Sequence, residues 1–365
     1  MVIQPKDIKE ALRTVLVPGS TENIVDLDMV QSIRIEGKKI SFTLVVQRSN
    51  DPNVTIIKAQ CVQAILRAFG KDVEIAGNIN VRSVHDMERP VLPGVTNIIA
   101  VASGKGGVGK STVAVNLAIS LANKGASVGL IDADIFGPSI PIMFGEKNTR
   151  PQGQQVDNRD MILPIEKYGV KILSIGFFVN QEDALVWRGP MASNALKQLI
   201  IDASWGPLDY LLIDLPPGTS DIHLTLMQTV PVTGAVIVTT PQDVALADVI
   251  KGVNMFRSKS IDVPVLGLIE NMAWFTPEEL PDNKYYIFGK EGGKKMAEKM
   301  GIPLLGQIPV VMGIREGGDN GIPVACQPST PAGLAFTKVC ESMIQAIDER
   351  NQNLEPTQKI KFEKK

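Results

Sequence analysis

The sequence is poor in the residues that form disulfides and most metal sites. Its 365 residues include three cysteines, none of them in a Cys-x-x-Cys pair, and two histidines, His85 and His223. So few cysteines exclude a disulfide framework and are typical of the reducing cytoplasm. The two histidines lie far apart in the chain and indicate no metal site. We therefore expect a cytoplasmic protein.

Excess charge and long apolar runs are also missing. The 37 lysines and arginines nearly balance 39 acidic residues, and the formal net charge of −2 gives no electrostatic reason to bind nucleic acid or an anionic membrane. No apolar run reaches about 18 residues, the length that a membrane-spanning helix needs. Residues 1–10 show no signal-peptide pattern. These absences predict a globular protein whose partners include neither nucleic acid nor a membrane.

The patterns that are present divide the chain into two domains. Residues 1–84 predict a small α+β domain, with helical spacing over 7–17 and 54–69 and a strand hairpin about Gly37. Residues 85–95 contain two prolines and are predicted to be a linker.

From residue 96 to residue 350, apolar strands alternate with helices. We predict strands at 97–102, 127–131, 171–175, 210–213, 234–239 and 265–270, and a closing helix at 330–347. Runs that are apolar on both faces, with helices between them, indicate a mostly parallel sheet covered by helices on both faces. Residues 348–365 are polar and are expected to be disordered, and residues 351–365 form a polar tail beyond the domain. The predicted fold class is therefore α/β, preceded by a small α+β domain.

Residues 104–111 spell Gly-Lys-Gly-Gly-Val-Gly-Lys-Ser, a full match to the phosphate-binding loop pattern G-x-x-x-x-G-K-[ST]. Its glycines let backbone N–H groups surround phosphate oxygens, Lys110 adds a positive charge and Ser111 offers a hydroxyl to Mg²⁺. Lys105 cannot easily reach phosphates held in its own loop but could reach those of a facing subunit, which suggests a dimer. The predicted nucleotide-binding residues here are Gly104, Lys105, Gly106, Gly107, Val108, Gly109, Lys110, Ser111 and Thr112.

A dinucleotide-binding fingerprint, G-x-G-x-x-G, also fits residues 104–109, with Asp132 at a suitable distance downstream. Two features favour a nucleoside triphosphatase instead. One is the Lys-Ser pair directly after the third glycine, and the other is an apolar strand that ends at Asp214, a Walker-B pattern. Because such a terminal aspartate holds Mg²⁺, usually through water, we predict Ser111 and Asp214 as the Mg²⁺ residues.

Two carboxylates follow the second predicted strand, at the edge of the sheet where open α/β folds bind ligands. Asp134 is predicted to orient the attacking water, and with Lys105 and Lys110 it completes the predicted catalytic set. Asp132 either tunes the Mg²⁺ shell or caps the next helix.

Gly137 and Pro138 mark a loop that suits a first switch. The segment that follows the Walker-B strand, residues 214–221, is predicted to be a second switch. Gly218 could bring its backbone N–H close to a γ-phosphate, so that hydrolysis would release the loop. The base is predicted to be adenine, since the Asn-Lys-x-Asp run of guanine-binding proteins is missing. Asn271 could hydrogen-bond the adenine edge, and Pro309 could flank the ring.

Together these motifs resemble the Mrp/ApbC iron–sulfur cluster carriers, which are P-loop ATPases of the deviant Walker A class that includes MinD, ParA and the nitrogenase iron protein. The resemblance rests on residues 104–111 with Lys105, on residues 132–139 and on residues 214–221, and it covers roughly residues 90–350. The N-terminal domain resembles the MIP18-like domain often fused in front. The resemblance implies a homodimer that hydrolyses ATP slowly and carries a [4Fe–4S] cluster to apoprotein clients, with Lys105 reaching across the dimer.

The chain departs from this family in its cysteines. Family members commonly hold the cluster through a Cys-x-x-Cys pair after a Glu-Asn-Met run, but here residues 273–280 follow that run without a cysteine. The loop at 47–53 also lacks the cysteine that the family often has there. Ligands for a cluster would have to come from elsewhere, such as Cys326 or a partner. Cys61 and Cys340 lie on apolar helical faces and are predicted to be core residues.

The missing pair leaves a second function open, a nucleotide-switched binding module of the MinD/ParA class without a cluster of its own. A MinD-like membrane positioner is disfavoured, because residues 351–365 lack large apolar residues at helical spacing.

Overall fold

The structure is a computed structural model that describes residues 3–46, 52–70, 72–75, 77–83, 91–135, 137–156, 159–178, 189–277, 279–280 and 282–360. The chain forms two compact units, Met1–Pro90 and Val91–Lys365. His85 and most of the predicted cysteine loop and linker lie outside the described residues.

In its described residues, the first unit combines two helices with a small sheet. Its elements are α1 (Pro5–Leu12), β1 (Val30–Glu36), β2 (Lys39–Val46), α2 (Pro52–Phe69) and β3 (Ile79–Ser83). β1 and β2 form the antiparallel hairpin that the alternating sequence predicts, and β3 pairs with β2 in parallel. Apolar side chains from both helices and all three strands form one core.

The second unit is built around a large sheet. Its strands are β4 (Val95–Ser103), β5 (Val128–Asp132), β6 (Gly153–Val156), β7 (Arg159–Ile162), β8 (Ile165–Lys167), β9 (Val170–Ser174), β10 (Leu208–Asp214), β11 (Gly234–Thr239), β12 (Val265–Glu270) and β13 (Leu304–Gln307). Within the described residues, eight of them form one sheet in the order β13-β12-β11-β4-β10-β5-β9-β8. Neighbouring strands are parallel, except that β8 is antiparallel to β9. β6 and β7 form a separate hairpin.

Helices cover both faces of this sheet. They are α3 (Lys110–Asn123), α4 (Ile140–Met143), α5 (Gly189–Ile201), α6 (Asp221–Thr229), α7 (Asp243–Phe256), α8 (Gly292–Met300), α9 (Met312–Asp319) and α10 (Pro331–Asn353). Side chains alternate along β4: Ile98, Ala100 and Ala102 pack with α5–α8, whereas Ile99 and Val101 pack with α3 and α10. The predicted α/β fold class is therefore confirmed. No helix in the described part of the chain has the length and apolarity needed to cross a bilayer.

The prediction of a disordered tail is wrong for residues 354–360. The closing helix continues to Asn353, and the Arg350 guanidinium donates to Thr357 Oγ1 at 2.9 Å and to the Glu355 carbonyl oxygen. Ile360 packs against the sheet's core, and its N–H donates to Met227 O at 3.1 Å. The polar composition of this segment predicts disorder. The contacts of Arg350 and Ile360 nevertheless hold it against the second unit.

Candidate nucleotide-binding site

The phosphate-binding loop joins β4 to α3 and is packed against two other segments. Gly109 precedes α3 with φ of 80°, and a Cβ at this position would collide with the side-chain amide of Asn271. A Cβ on Gly104 would lie 2.5 Å from the carbonyl oxygen of Asp248 in α7. Both positions therefore require glycine, the first for its left-handed backbone and the second for the close approach of a helix.

Lys110 brings several predicted site residues together. Its Nζ lies 2.6 Å from Asp214 Oδ1, 3.8 Å from Asp134 Oδ2 and 3.3 Å from Ser111 Oγ. The strands β4, β10 and β5 are neighbours in the sheet, so the segments after their carboxyl ends meet at one edge. Lys110 and Asp214 are buried, and Asp134 is partly exposed. One lysine, two carboxylates and a hydroxyl thus surround the start of α3.

Asp214 retains an unused oxygen in this cluster. Burial raises the pKa of Asp214, and the adjacent Lys110 ammonium opposes that rise. Its Oδ2 is buried and has no hydrogen-bond partner within the described residues. A spare carboxylate oxygen and the nearby Ser111 hydroxyl are oxygen donors of the kind that Mg²⁺ takes in nucleotide sites. The residues present therefore fit the predicted Mg²⁺ role.

Asp132 is fully buried, and both of its carboxylate oxygens accept hydrogen bonds from the protein. Oδ1 accepts from Asp134 N at 3.2 Å, and Oδ2 accepts from Ile140 N at 3.3 Å and from Ser174 Oγ at 2.9 Å. Because Ile140 begins α4, the structure favours the capping interpretation of Asp132 over the Mg²⁺ interpretation. Burial and the neighbouring Asp214 carboxylate raise the pKa of Asp132 to about 7.

The second predicted switch is bonded to the strand beside it. Gly218 N donates to Ser103 O at 2.8 Å, so this N–H would have to leave β4 before it could reach a phosphate. The segment ends at α6, where Ser220 N donates to His223 Nδ1 at 3.2 Å. That bond places the ring proton on Nε2, which is buried without a partner in the described part of the chain. Burial lowers the pKa of His223 to about 4, so the ring is a neutral cap of α6 at pH 7.

The two residues predicted to contact the base lie near the carboxyl ends of β12 and β13. Asn271 Nδ2 donates to Val108 O of the phosphate-binding loop at 2.8 Å, and its backbone N donates to Thr239 O at 2.8 Å. Pro309 is buried two residues after β13. The structure assigns Asn271 a contact that the sequence did not suggest, and the adenine contacts of Asn271 and Pro309 stay predictions.

The remaining predicted residues of the loop differ in exposure. Lys105 is exposed, and its carbonyl oxygen accepts a hydrogen bond from Ser103 Oγ at 3.0 Å. Thr112 is partly buried in the first turn of α3, where its carbonyl oxygen accepts from Asn116 Nδ2 at 2.8 Å. The cross-subunit role of Lys105 and the nucleotide contact of Thr112 stay predictions.

Two of the three cysteines are core residues. Cys61 is buried in the first unit and Cys340 in the second, as predicted, and burial raises the pKa of each thiol to about 12. In the described residues, no group of three or more His, Cys, Asp and Glu side chains is arranged to hold a metal ion.

Cys326, the predicted cluster candidate, lies along the side of α3. The preceding residue, Ala325, donates from its N to Asn116 Oδ1 at 2.9 Å and accepts from Asn123 Nδ2 at 2.7 Å. At 1.5 Å of helix per residue, these anchors lie about 9 and about 20 Å along α3 from Lys110. The thiol is partly buried, which raises its pKa and disfavours the thiolate that binds iron. The structure therefore places Cys326 apart from the nucleotide cluster.

Sequence reasoning missed three contributors to the site. Ser174 ends an apolar strand with a buried hydroxyl, and a polar residue at that place was a usable signal. His223 stands three residues after Ser220, the spacing of a capping box, although Glu or Gln is the usual residue there. Asp248 acts through its backbone alone, which no local pattern reveals.

Comparison with known families agrees with this geometry. Residues 94–344 match the family described as NUBPL iron-transfer P-loop NTPase, and residues 5–76 match the iron-sulfur cluster assembly protein family. An iron-sulfur cluster carrier protein from Synechocystis is 42% identical over 335 residues, covering 91% of this chain and 94% of the relative. The iron-sulfur cluster transfer protein NUBPL of Dictyostelium discoideum is 48% identical, covering 73% of this chain and 82% of the relative.

Solved structures also resemble the second unit. A nucleotide-binding protein from Archaeoglobus fulgidus in complex with ADP has a TM-score of 0.58 and 35% identity, covering 70% of this chain and 97% of that protein. MinD from Pyrococcus horikoshii, complexed with Mg-ADP, has a TM-score of 0.50 and 26% identity, covering 70% and 99%. The chain therefore belongs to the NUBPL-type iron-transfer P-loop NTPases, the family whose relatives are named iron–sulfur cluster carrier proteins.

Proposed function

We propose that the protein is an ATP-hydrolysing homodimer that assembles iron–sulfur clusters or delivers them to apoprotein clients. The observation that carries the hydrolytic part is the convergence of Ser111, Asp134 and Asp214 on Lys110 at the start of α3. The names of the relatives support the cluster-carrying part. ATP is proposed as the nucleotide.

Lys110 and the backbone N–H groups of the phosphate-binding loop would neutralise the charge that develops on the phosphates during hydrolysis. Lys110 is held by Asp214 at 2.6 Å and by Asp134 at 3.8 Å, so phosphate oxygens would compete with these carboxylates for its ammonium. Ser111 Oγ and Asp214 Oδ2 would hold Mg²⁺, which supplies positive charge to the phosphate oxygens when it is bound.

Asp134 would orient the attacking water. Burial raises the pKa of Asp134, and the Lys110 ammonium opposes that rise, so the carboxyl group lies next to the cation that favours its ionised form. The side chain is 17% exposed, which leaves water access to it. A partly accessible carboxyl group beside the phosphate-binding lysine suits the polarisation of a water molecule.

The homodimer is proposed from the position of Lys105. Its side chain is exposed at the second place of the loop, where it would contact phosphates of a facing subunit. A dimer that closes on ATP and opens after hydrolysis would couple the nucleotide state to the handling of the cluster, which is the cargo.

Cys326 is proposed as a ligand of the cluster. Cys326 is the partly exposed cysteine of the three in the chain, and a client or a second subunit would supply the remaining ligands. Anaerobic incubation with iron and sulfide is expected to give stoichiometric bound iron with a cluster absorbance band, and transfer to an apo-ferredoxin. The Cys326→Ser variant should bind less iron, and the Cys61→Ser variant is its control. Repeated absence of bound iron in the unmodified protein would refute the carrier function.

Two observations favour a second function. The described residues contain no cluster of metal-binding side chains, and the chain has no Cys-x-x-Cys pair. On this alternative the ATP-bound dimer recruits a client without carrying a cluster. Metal-free protein that captures a client with ATP, and not with ADP, would support it. The free cysteines support a reducing cytoplasm as the place of action for either function.

A further inference from the structure

The Asp132 carboxylate spans the segment that carries the proposed water-orienting residue. Its Oδ1 accepts from Asp134 N at 3.2 Å, and its Oδ2 accepts from Ile140 N at 3.3 Å. One buried side chain thus holds both ends of residues 134–140 against the end of β5. The position of the Asp134 carboxylate relative to Lys110 depends on the backbone that Asp132 holds.

Ser174 fixes the orientation of the Asp132 carboxylate. Ser174 Oγ lies 2.9 Å from Asp132 Oδ2, and it accepts a hydrogen bond from Gly176 N at 3.0 Å. Because a carboxylate oxygen accepts hydrogen bonds, the Ser174 hydroxyl is the donor in its contact with Asp132. Both side chains are fully buried, so water does not compete for this bond.

Asp132 differs from Asp134 and Asp214 in its relation to Lys110. Among the described residues, Lys110 forms ion pairs with Asp134 and with Asp214. Asp132 takes part in neither of these two ion pairs. Asp132 ends the strand next to Asp214, in register with it, but its oxygens are occupied by backbone and hydroxyl donors. Asp132 is therefore placed to support the backbone at Asp134 and Ile140 rather than to bind phosphate or the lysine.

The geometry points to Asp132 and Ser174 as a pair of positioning residues for hydrolysis: Ser174 orients the Asp132 carboxylate, and Asp132 holds Asp134 at the site. This inference rests on the proposed ATP hydrolysis. It assigns the end of β9, at the far side of β5 from the phosphate-binding loop, a part in the chemical step and none in nucleotide binding.

The test compares Ser174→Ala, Ser174→Thr and Asp132→Asn with the unmodified full chain. ATP affinity is measured by titration, the rate constant of hydrolysis by single turnover, and backbone exchange by hydrogen–deuterium exchange of peptides that cover Asp134 and Ile140. Loss of a hydrogen bond to a buried carboxylate should lower the hydrolysis rate constant about tenfold in Ser174→Ala. ATP affinity should stay within about threefold, because the phosphate-binding contacts are untouched.

Further results are expected for the rates and for backbone exchange. Ser174→Thr keeps the hydroxyl and should restore most of the rate, and Asp132→Asn, which keeps the volume, should lose at least as much rate as Ser174→Ala. Exchange at Asp134 and Ile140 should quicken in Ser174→Ala and Asp132→Asn, while exchange in the phosphate-binding loop stays unchanged. If Ser174→Thr folds poorly, the comparison of Asp132→Asn with the unmodified chain decides the test.

Wild-type rate and wild-type exchange in both Ser174→Ala and Asp132→Asn would overturn the inference. So would a parallel fall of ATP affinity and rate, which a general structural defect produces. If the unmodified protein hydrolyses no ATP, the proposed function fails, and the exchange measurement still decides whether the pair holds the segment.

Discussion

The side-chain amide of Asn271 donates to the carbonyl oxygen of Val108 at 2.8 Å, across the strand that separates β12 from β4. The residue that follows β12 thus supports the middle of the phosphate-binding loop. The same amide lies against Gly109: a Cβ added to Gly109 would collide with Asn271 Nδ2. The loop geometry is therefore set by a residue 163 positions away in the chain.

Asn271→Ala should weaken ATP binding about five- to thirtyfold, since loss of this bond to a buried carbonyl costs about 1–2 kcal/mol. If Asn271 also contacts the adenine edge, the preference for ATP over GTP should fall in the variant. Titration with both nucleotides measures the ratio. An unchanged ratio with weaker binding would leave the support of the loop as the role of Asn271, and unchanged affinity for ATP would contradict both roles.

Lys110→Ala and Lys105→Ala should separate the two lysines of the loop. Removal of Lys110 leaves Asp214 buried without its cation and should cost about 3–5 kcal/mol of unfolding free energy. This cost should shrink at acidic pH, because Asp214 can then take up a proton. Lys105 is exposed, so its removal should change stability by less than about 0.5 kcal/mol.

Both lysine variants should lose ATP hydrolysis, for different reasons. Lys110→Ala loses a phosphate contact within its own subunit, and Lys105→Ala loses one across the dimer. The unfolding free energies of the two variants are measured by urea unfolding. Tryptophan fluorescence reports on the second unit, because all three tryptophans follow residue 90. A Lys105→Ala protein that dimerises and hydrolyses ATP normally would be incompatible with the cross-subunit role.

Gly104→Ala should destabilise the second unit by about 1–3 kcal/mol, because its Cβ would press on the backbone of Asp248. Gly106→Ala is the matched control. Its Cβ would lie 3.8 Å from Pro217 Cγ, an ordinary contact, and its stability should stay within about 0.5 kcal/mol of the unmodified chain. Thermal unfolding of both variants checks the difference. Equal losses would mean that the helix at Asp248 yields to the added methyl group.

His223 should make the second unit sensitive to acid. Its pKa is about 4 in the folded chain and about 6.5 when unfolded, so the unfolded chain binds more protons between these values. The stability that this implies is fully present above pH 6.5 and is lost as the pH falls towards 4. The loss from this group should be about 2 kcal/mol at pH 5.

His223→Gln is the control for this acid sensitivity. Glutamine at the third position of a helix fits the capping box with Ser220 and does not titrate. The variant should match the unmodified chain at pH 7.5 within about 1 kcal/mol and should be the more stable of the two at pH 5. Urea unfolding at the two pH values measures this, and identical acid losses would show that the ring is not the group responsible.

Long strands were predictable because both of their faces are buried. The predicted strands 234–239 and 265–270 coincide with β11 and β12 to the residue. The short elements β6, β7, β8 and β13 have three or four residues each, too few for a periodic pattern, and β8 is at most partly buried. The sheet order and the antiparallel edge strand came from the structure.

Some residues of the candidate site were likewise predictable from the sequence, and others were not. The phosphate-binding loop, Asp134 and Asp214 stand in local motifs, and the sequence brings them out directly. The contacts of Ser174 with Asp132 and of Asn271 with Val108 join residues that lie 42 and 163 positions apart. Such pairs follow from the order of strands in the sheet, which one sequence does not specify.

Residues 354–360 are attached to the helix that follows the predicted second switch. Ile360 is bonded to Met227 near the end of α6, the helix that begins where the second switch stops. A fluorophore introduced beside Ile360 would therefore sense rotation or sliding of α6 while leaving the nucleotide site untouched. A movement of the proline-containing loop after Asp214 would then be detected, through α6, as a change in the signal of that fluorophore.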